Sequence, residues 1–300
     1  MPATTPGELG GLSAMTASLG DLVSAKSLAF QRGSGSLAVD SVAGLSAVTS
    51  TWAASPLKLL VPRPRGPSVW AYVSSFGGGL VAGDETSLTV DLADGTRCFL
   101  GTQASTKVYR NPAGLPCGHR LEATIGADSL LVAAPDPVQA FAGSHYEQRQ
   151  TFHLAASGNL VLVDWLCSGR AARGERWAFT QYRSRNEVFV DGERWLLDSL
   201  RLDADTGPLD GEFRLGRYNC LAMVFLVGPS VSAAATAWLR EMEAAPVTRR
   251  PNFLCSASAV RQGVLVRMGG ESVEAVGHEI HRRLKFLSNL LHDDPWARKW

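Results

Sequence analysis

A mainly β fold, with strand pairs stacked into a β-helix-like solenoid and about two helices toward the C-terminus, is what this sequence predicts. Three observations carry that reading. Glycine-marked turns recur at a near-constant interval. The segments flanking them alternate apolar and polar residues, as half-buried strands do. Helical periodicity is confined to the last quarter of the chain.

The first unit runs through Ser87–Leu92, with Leu88, Val90 and Leu92 on one face, turns at Asp94-Gly95 and returns at Cys98-Phe99-Leu100. Asp-Gly between alternating segments is a strong hairpin signal. The second runs through Leu121–Ile125, turns at Gly126–Asp128 and returns through Leu130–Val132. The third runs through Thr151–Leu154, turns at Ser157-Gly158-Asn159 and returns through Leu160–Leu166. The fourth runs through Glu187–Val190, turns at Asp191-Gly192 and returns through Trp195–Leu197. Gly95, Gly126, Gly158 and Gly192 stand 31, 32 and 34 residues apart. One strand pair cannot bury its apolar face alone, so the units are expected to stack as hairpins.

Cys220–Val227 is apolar throughout and reads as a buried strand; it is far shorter than the roughly 18–20 residues a membrane-spanning helix needs. Val231–Ala245 is Ala-rich and stops before Pro246, as a helix should. Ser272–Leu291 places Val273, Val276, Ile280, Leu284, Leu287 and Leu291 near helical spacing, and Pro295 follows. The chain closes on Trp296 and Trp300, a tail suited to docking on a partner or, equally, to packing back on the helix. Residues 1–25 are rich in Ala, Gly, Ser and Thr and read as a loose tail; residues 26–300 read as one domain. The tail lacks the basic start of a secretory signal and the arginines of a transit peptide, so a cytoplasmic protein is expected.

Composition narrows the function classes. The 300 residues are 45% hydrophobic and 19% charged, which fits a globular chain. A net charge of +1 gives no electrostatic case for nucleic acid. Five scattered cysteines without a CxxC argue against a disulfide framework and a zinc knuckle.

The candidate catalytic motifs are weak. Gly77, Gly79 and Ala82 satisfy a permitted dinucleotide fingerprint, yet an alternating strand follows where a helix N-terminus is required. Neither GK[ST] nor GxSxG occurs. His278 and His281 are three apart on the expected helix, but HExH is one residue short of the metalloprotease motif. Cys117 and His119 could form a soft metal pair in a Pro/Gly loop. The acids are more informative. Asp84, Asp136, Glu147, Asp164 and Glu175 sit at strand ends or among apolar residues, and buried acids must be paired or metal-linked. Arg149, Arg170 and Arg173 are the nearby candidates for such pairs.

At these residues the chain resembles a known family. Gly77-Gly78-Gly79-Leu80-Val81-Ala82-Gly83-Asp84 is similar to the GGGLVxGD of the UreD (UreH) urease accessory proteins. Thr102–Arg110, which carries Thr102, Gln103, Lys107, Tyr109 and Arg110, is similar to that family's TQAxTKVYR. Pro135–Phe141 and Tyr146-Glu147-Gln148 resemble its eukaryotic branch. Leu166–Trp177, with Arg170 and Arg173, resembles SGRxxxGExW, and Asn186–Leu197 matches the next strand pair. The blocks keep their order across residues 60–220, while the C-terminal third matches only in character.

The resemblance implies a β-helix-like scaffold without covalent chemistry of its own. It implies three partners: apo-urease, an F-type accessory protein and, through the latter, a G-type GTPase that carries nickel. It implies no stably bound cofactor, with nickel(II) only in transit. On that reading Asp84, Asp136, Glu147, Asp164 and Glu175 are expected to line the nickel path, because carboxylates replace lost hydration where a dry apolar wall would not. Lys107, Tyr109 and Arg110 are expected to clamp an acid such as Asp84 or Asp136, or to face a partner. Arg170, Arg173 and Arg176 are expected to hold Glu175. Two other readings compete: a small-molecule enzyme using the Gly77–Asp84 loop, marked by nucleotide binding, and a scaffold for a partner other than urease, marked by a genome without urease.

Overall fold

The computed structural model describes residues 32–64 and 66–297. The tail expected over 1–25, and Trp300, lie outside the described residues.

Numbered in chain order, seventeen strands form two facing sheets. The first sheet runs, in space, β14 (Glu193–Asp203), β13 (Gln181–Val190), β11 (His145–Leu154), β8 (Cys117–Ile125), β5 (Glu85–Leu92), β1 (Arg32–Val42) and β2 (Leu45–Ala53). The second runs β16 (Phe253–Val260), β17 (Gly263–Gly270), β15 (Cys220–Val227), β12 (Asn159–Cys167), β9 (Leu130–Ala133), β6 (Arg97–Thr102), β4 (Val69–Ser75) and β3 (Leu57–Leu60). Two short strands, β7 (Lys107–Val108) and β10 (Val138–Ala140), pair in parallel at one edge. Helix α1 spans Ser232–Ala244, α2 spans Val273–Arg283 and α3 spans Leu287–Leu291.

The solenoid and the C-terminal helices are as the sequence predicts. The joints inside the first three units differ. β5 pairs in parallel with β8, and β8 with β11, while β6 pairs in parallel with β9, and β9 with β12. The four residues between β5 and β6, between β8 and β9, and between β11 and β12 therefore carry the chain from one sheet to the other. These joints are arches, and only the fourth unit, β13–β14, is an antiparallel hairpin. In that hairpin Asp191 and Gly192 both take positive φ, at 49° and 79°, as a two-residue mirror-image turn demands. Arches instead satisfy their polar groups from the neighbouring coil: Gly95 N–H donates to the Ala127 carbonyl, and Ala127 N–H donates to the Asp94 carboxylate.

Alternation places Leu88, Val90 and Leu92 of β5 opposite Cys98 and Leu100 of β6, and the same pattern repeats in each coil. Those residues form a core between the sheets, with Phe152, Leu162 and Phe225 among its buried members. A second core lies on the other face of the second sheet, where Trp238 of α1 and Val276 and Ile280 of α2 cover Val163, Val224 and Val266. A third, smaller core fills one edge with Leu80, Val108, Val138, Tyr146, Phe179 and Tyr182. Ser272 caps α2, its hydroxyl accepting from the Ala275 N–H. Among the described residues no helix is long and apolar enough to cross a membrane.

Candidate functional site

The loops carrying the sequence blocks gather where the edge core lies. The Leu80 N–H donates to the Lys107 carbonyl, and the Tyr109 N–H donates to that of Leu80. The Phe141 N–H donates to the Val108 carbonyl, and the Gly143 N–H to that of Ala178. Gly77–Asp84, Thr102–Arg110, Pro135–Phe141 and Leu166–Trp177 are thus successive rungs on one side of the solenoid.

Gly77, Gly78 and Gly83 take positive φ, while Gly79 is needed for space. A Cβ there would stand 2.6 Å from the Lys107 carbonyl oxygen and 2.6 Å from the Tyr109 ring. Gly79→Ala is expected to cost about 1–3 kcal/mol, as overpacking does. Thermal unfolding checks it; an unchanged midpoint would show that the rung yields.

Beneath these loops the interior between the sheets turns polar. In register across four parallel strands stand Thr86, His119, Gln148 and Ser184. The alternation that points Leu88, Leu121, Phe152 and Val188 inward points these inward as well. Gln150 and Asn186 extend the layer, and Gln150 Nε2 donates to Asn186 Oδ1 at 2.8 Å. Asp164 faces them from β12. Its carboxyl accepts from Gln148 Nε2 at 3.0 Å, Ser184 Oγ at 2.5 Å and Asn186 Nδ2 at 2.8 Å. Burial pushes the Asp164 carboxyl above its ordinary value, while those three donors pull it back.

A cavity of about 240 Å³ adjoins this layer. Thr86, His119, Gln148, Gln150 and Asp164 line its inner end. Asp136, Thr102, Gln103 and Lys107 line the end where loop 103–107 meets solvent. The Thr102 hydroxyl donates to Asp136 Oδ2 at 3.2 Å and accepts from the Asp136 N–H at 2.8 Å. The volume is many times what one water requires, so a hydrated ion fits.

Of the five acids singled out in the sequence, the structure brings Asp136 and Asp164 together in this cavity. Asp84 stands apart as a loop fastener: its Oδ2 accepts from the Val81 N–H at 3.0 Å and its carbonyl from the Gly118 N–H at 2.8 Å. Glu147 faces outward in a separate cavity of about 330 Å³ and pairs with Arg149 at 3.0 Å. Glu175 is gripped by the Arg170 guanidinium, which also lies 4.4 Å from the Phe141 ring, and these bonds hold its carboxyl below the usual range. Arg176 turns elsewhere, to Asn219 Oδ1 at 2.7 Å, and Arg173 is exposed in the turn before Gly174. Backbone pairing seats Lys107 and Tyr109 in the rung, and the Tyr109 ring stands edge-on to Phe141 at 5.5 Å. Thr86, Gln148, Gln150, Ser184 and Asn186 carry the polar layer without being singled out in the sequence. The available signal was a polar residue at the inward parity two or four positions before Leu88, Leu121, Phe152 and Val188.

The Gly77–Gly83 loop leads into β5 and not into a helix, so it offers no helix N-terminus for a pyrophosphate. Cys117 and His119 lie on the same strand but do not share a ligand set. The Cys117 thiol is directed to the His145 carbonyl at 3.5 Å, and burial, aided by the Asp84 charge, pushes it up to about 12. His281 packs against Trp296, ring centroids 4.5 Å apart. Among the described residues no group of three or more His, Cys, Asp or Glu side chains could hold a metal ion.

The family model described as UreD urease accessory protein matches residues 31–300. A urease accessory protein UreD of Sorangium cellulosum is 49% identical over 269 residues, covering 89% of this chain and 84% of that protein. One of Anaeromyxobacter is 44% identical over 266 residues, covering 89% of each. Urease accessory protein D of Arabidopsis thaliana is 34% identical over 293 residues, covering 88% of this chain and 99% of that protein. With the order of the loop motifs and the solenoid they sit on, these matches show that the chain belongs to the UreD family of urease accessory proteins.

Proposed function

We propose that this chain matures urease as a non-catalytic cytoplasmic scaffold that gives nickel(II) a sheltered path toward the apo-enzyme. It would bind apo-urease and an F-type accessory protein, and through the latter receive nickel released by a G-type GTPase. The observation that carries the reading is the polar layer inside an otherwise apolar solenoid, facing the Asp164 carboxyl beside a cavity of about 240 Å³. Neutral oxygens and a few carboxylates replace part of an ion's hydration without caging it. Asp136 at the open end and Asp164 at the inner end would be successive contacts.

The test is co-expression of the cognate urease and its accessory proteins with the wild-type chain, with none, and with Asp136→Asn or Asp164→Asn. Nickel per urease and urease activity are read together. Loading only in the presence of the chain, reduced about tenfold by either substitution, supports the path; tenfold is about 1.4 kcal/mol, the scale of one charge-assisted contact. Equal loading without the chain removes the scaffold role. Full loading by both variants removes the path but leaves the scaffold.

A further inference from the structure

Resting on the nickel path just described, we infer that His119, which lines both this cavity and the neighbouring one that holds Glu147, makes that path selective for a borderline transition-metal ion over magnesium through its imidazole Nε2. The cavity's other polar side chains are the carboxyls of Asp136 and Asp164, hydroxyls that include those of Thr86 and Thr102, the amides of Gln103, Gln148 and Gln150, and the Lys107 ammonium. An oxygen-only wall suits magnesium as well as nickel, and magnesium favours such hard ligands. Imidazole nitrogen suits nickel, copper, zinc and iron. One imidazole among oxygens therefore separates the two classes of ion, and one alone is too few to trap either.

The geometry around the ring supports a particular tautomer. The Thr86 hydroxyl donates to the Gly118 carbonyl at 3.2 Å, and the same oxygen lies 2.8 Å from His119 Nδ1. A hydroxyl has one proton to give. Donation to Gly118 leaves Thr86 Oγ1 to accept from Nδ1–H, and the neutral ring then keeps its lone pair on Nε2, whereas donation to Nδ1 would put the ring proton on Nε2; we take the first arrangement. Among the described residues nothing hydrogen-bonds that second nitrogen. The ring is neutral because burial lowers its pKa to about 4. Across the register Gln148 stands beside it and reaches on to Asp164, so the nitrogen and the carboxyl belong to one wall. The protonated Cys117 thiol, turned to the His145 carbonyl, offers no competing soft ligand.

Two measurements test this. Long-range proton–nitrogen correlation of the full chain labelled with ¹⁵N-histidine, with His119→Gln assigning the signal, reads the tautomer directly on the wild-type protein. The expected ring has its proton on Nδ1; a proton on Nε2 overturns the inference. Nickel chloride at low concentration is then added with and without a hundredfold excess of magnesium. Broadening of the His119 signal that magnesium does not reverse supports it. Broadening of other histidines alone, or reversal by magnesium, overturns it. In co-expression, His119→Gln is expected to lower nickel per urease about tenfold, with recovery when the medium is enriched in nickel. Normal loading by His119→Gln alongside poor loading by Asp164→Asn sinks the role of His119 and keeps the path. Normal loading by both sinks the path itself.

Discussion

Asp164→Ala is expected to lower stability by roughly 3 kcal/mol and the thermal midpoint by roughly 6–12 °C. The carboxyl is the common acceptor for Gln148, Ser184 and Asn186, all of them buried. Removing it strands up to three donors, each costing about 1–3 kcal/mol when left without a partner in the interior. Two terms work against the full sum. Gln148 Nε2 keeps a contact with Ser184 Oγ at 3.3 Å, and Asn186 Nδ2 keeps one with the same oxygen at 3.5 Å. Burial of the carboxyl is itself unfavourable, which its raised pKa records, and alanine relieves that. Asp164→Asn retains one acceptor oxygen and nearly the same volume, so its loss should be nearer 1 kcal/mol. The pair of variants therefore separates support of the fold from passage of the ion. If Asp164→Ala melts with the wild type, the layer is not the supporting network described above. If Asp164→Asn is stable yet loads urease poorly, the carboxylate charge is what the ion requires.

How much of this was legible in the sequence depends on what periodicity can encode. Alternation at Leu88–Leu92 and its counterparts reports which side of a strand is buried, and the 31–34-residue interval reports that the units stack. Neither reports whether Gly95 and Gly126 close hairpins or arches, because both bury the same residues: in an arch the two inward faces look at each other across the core. Of the four glycine-marked turns, Asp191-Gly192, with two adjacent positive φ values, is the hairpin, and its dipeptide is the same as that of the arch at Asp94-Gly95. The helices were legible because Val276, Ile280, Leu284 and Leu287 all bury one face. The antiparallel pair β16–β17 was not, since β16 reads FLCSASAV, with small polar residues on a largely uncovered edge. The acids stand out in the sequence by their position at strand ends or among apolar residues, while side-chain direction decides their use. Asp164 falls on an inward position of β12, whereas Glu147 falls on an outward position of β11. Parity within a strand was available for Glu147; that Asp84 would turn back on Val81 was not.

Acidification between pH 6.5 and about 4 is expected to cost the folded protein roughly 3 kcal/mol through His119 alone. The sign follows from which state holds the proton. In the unfolded chain the imidazole titrates near 6.5, while in the folded protein burial holds it neutral until about pH 4. Between those values the unfolded state binds more protons, so each step toward acid favours unfolding. The stabilisation is fully present above 6.5 and gone below about 4. Asp164 acts oppositely: its raised pKa means the folded state keeps a proton the unfolded state has lost, so that group favours folding as the pH falls through its folded pKa toward the ordinary carboxylate value. Asp203, held down to about 2 by Arg201, contributes its loss only below the ordinary carboxylate range. His119→Gln removes the imidazole term and leaves the others in place. Urea unfolding of the two proteins at pH 7 and pH 4.5 should therefore show the wild type losing about 2–3 kcal/mol more than the variant over that interval. Parallel losses would place His119 in contact with bulk water and remove the reason its ring stays neutral, whereas the expected gap would show that the imidazole of His119 is held unprotonated by the fold around it.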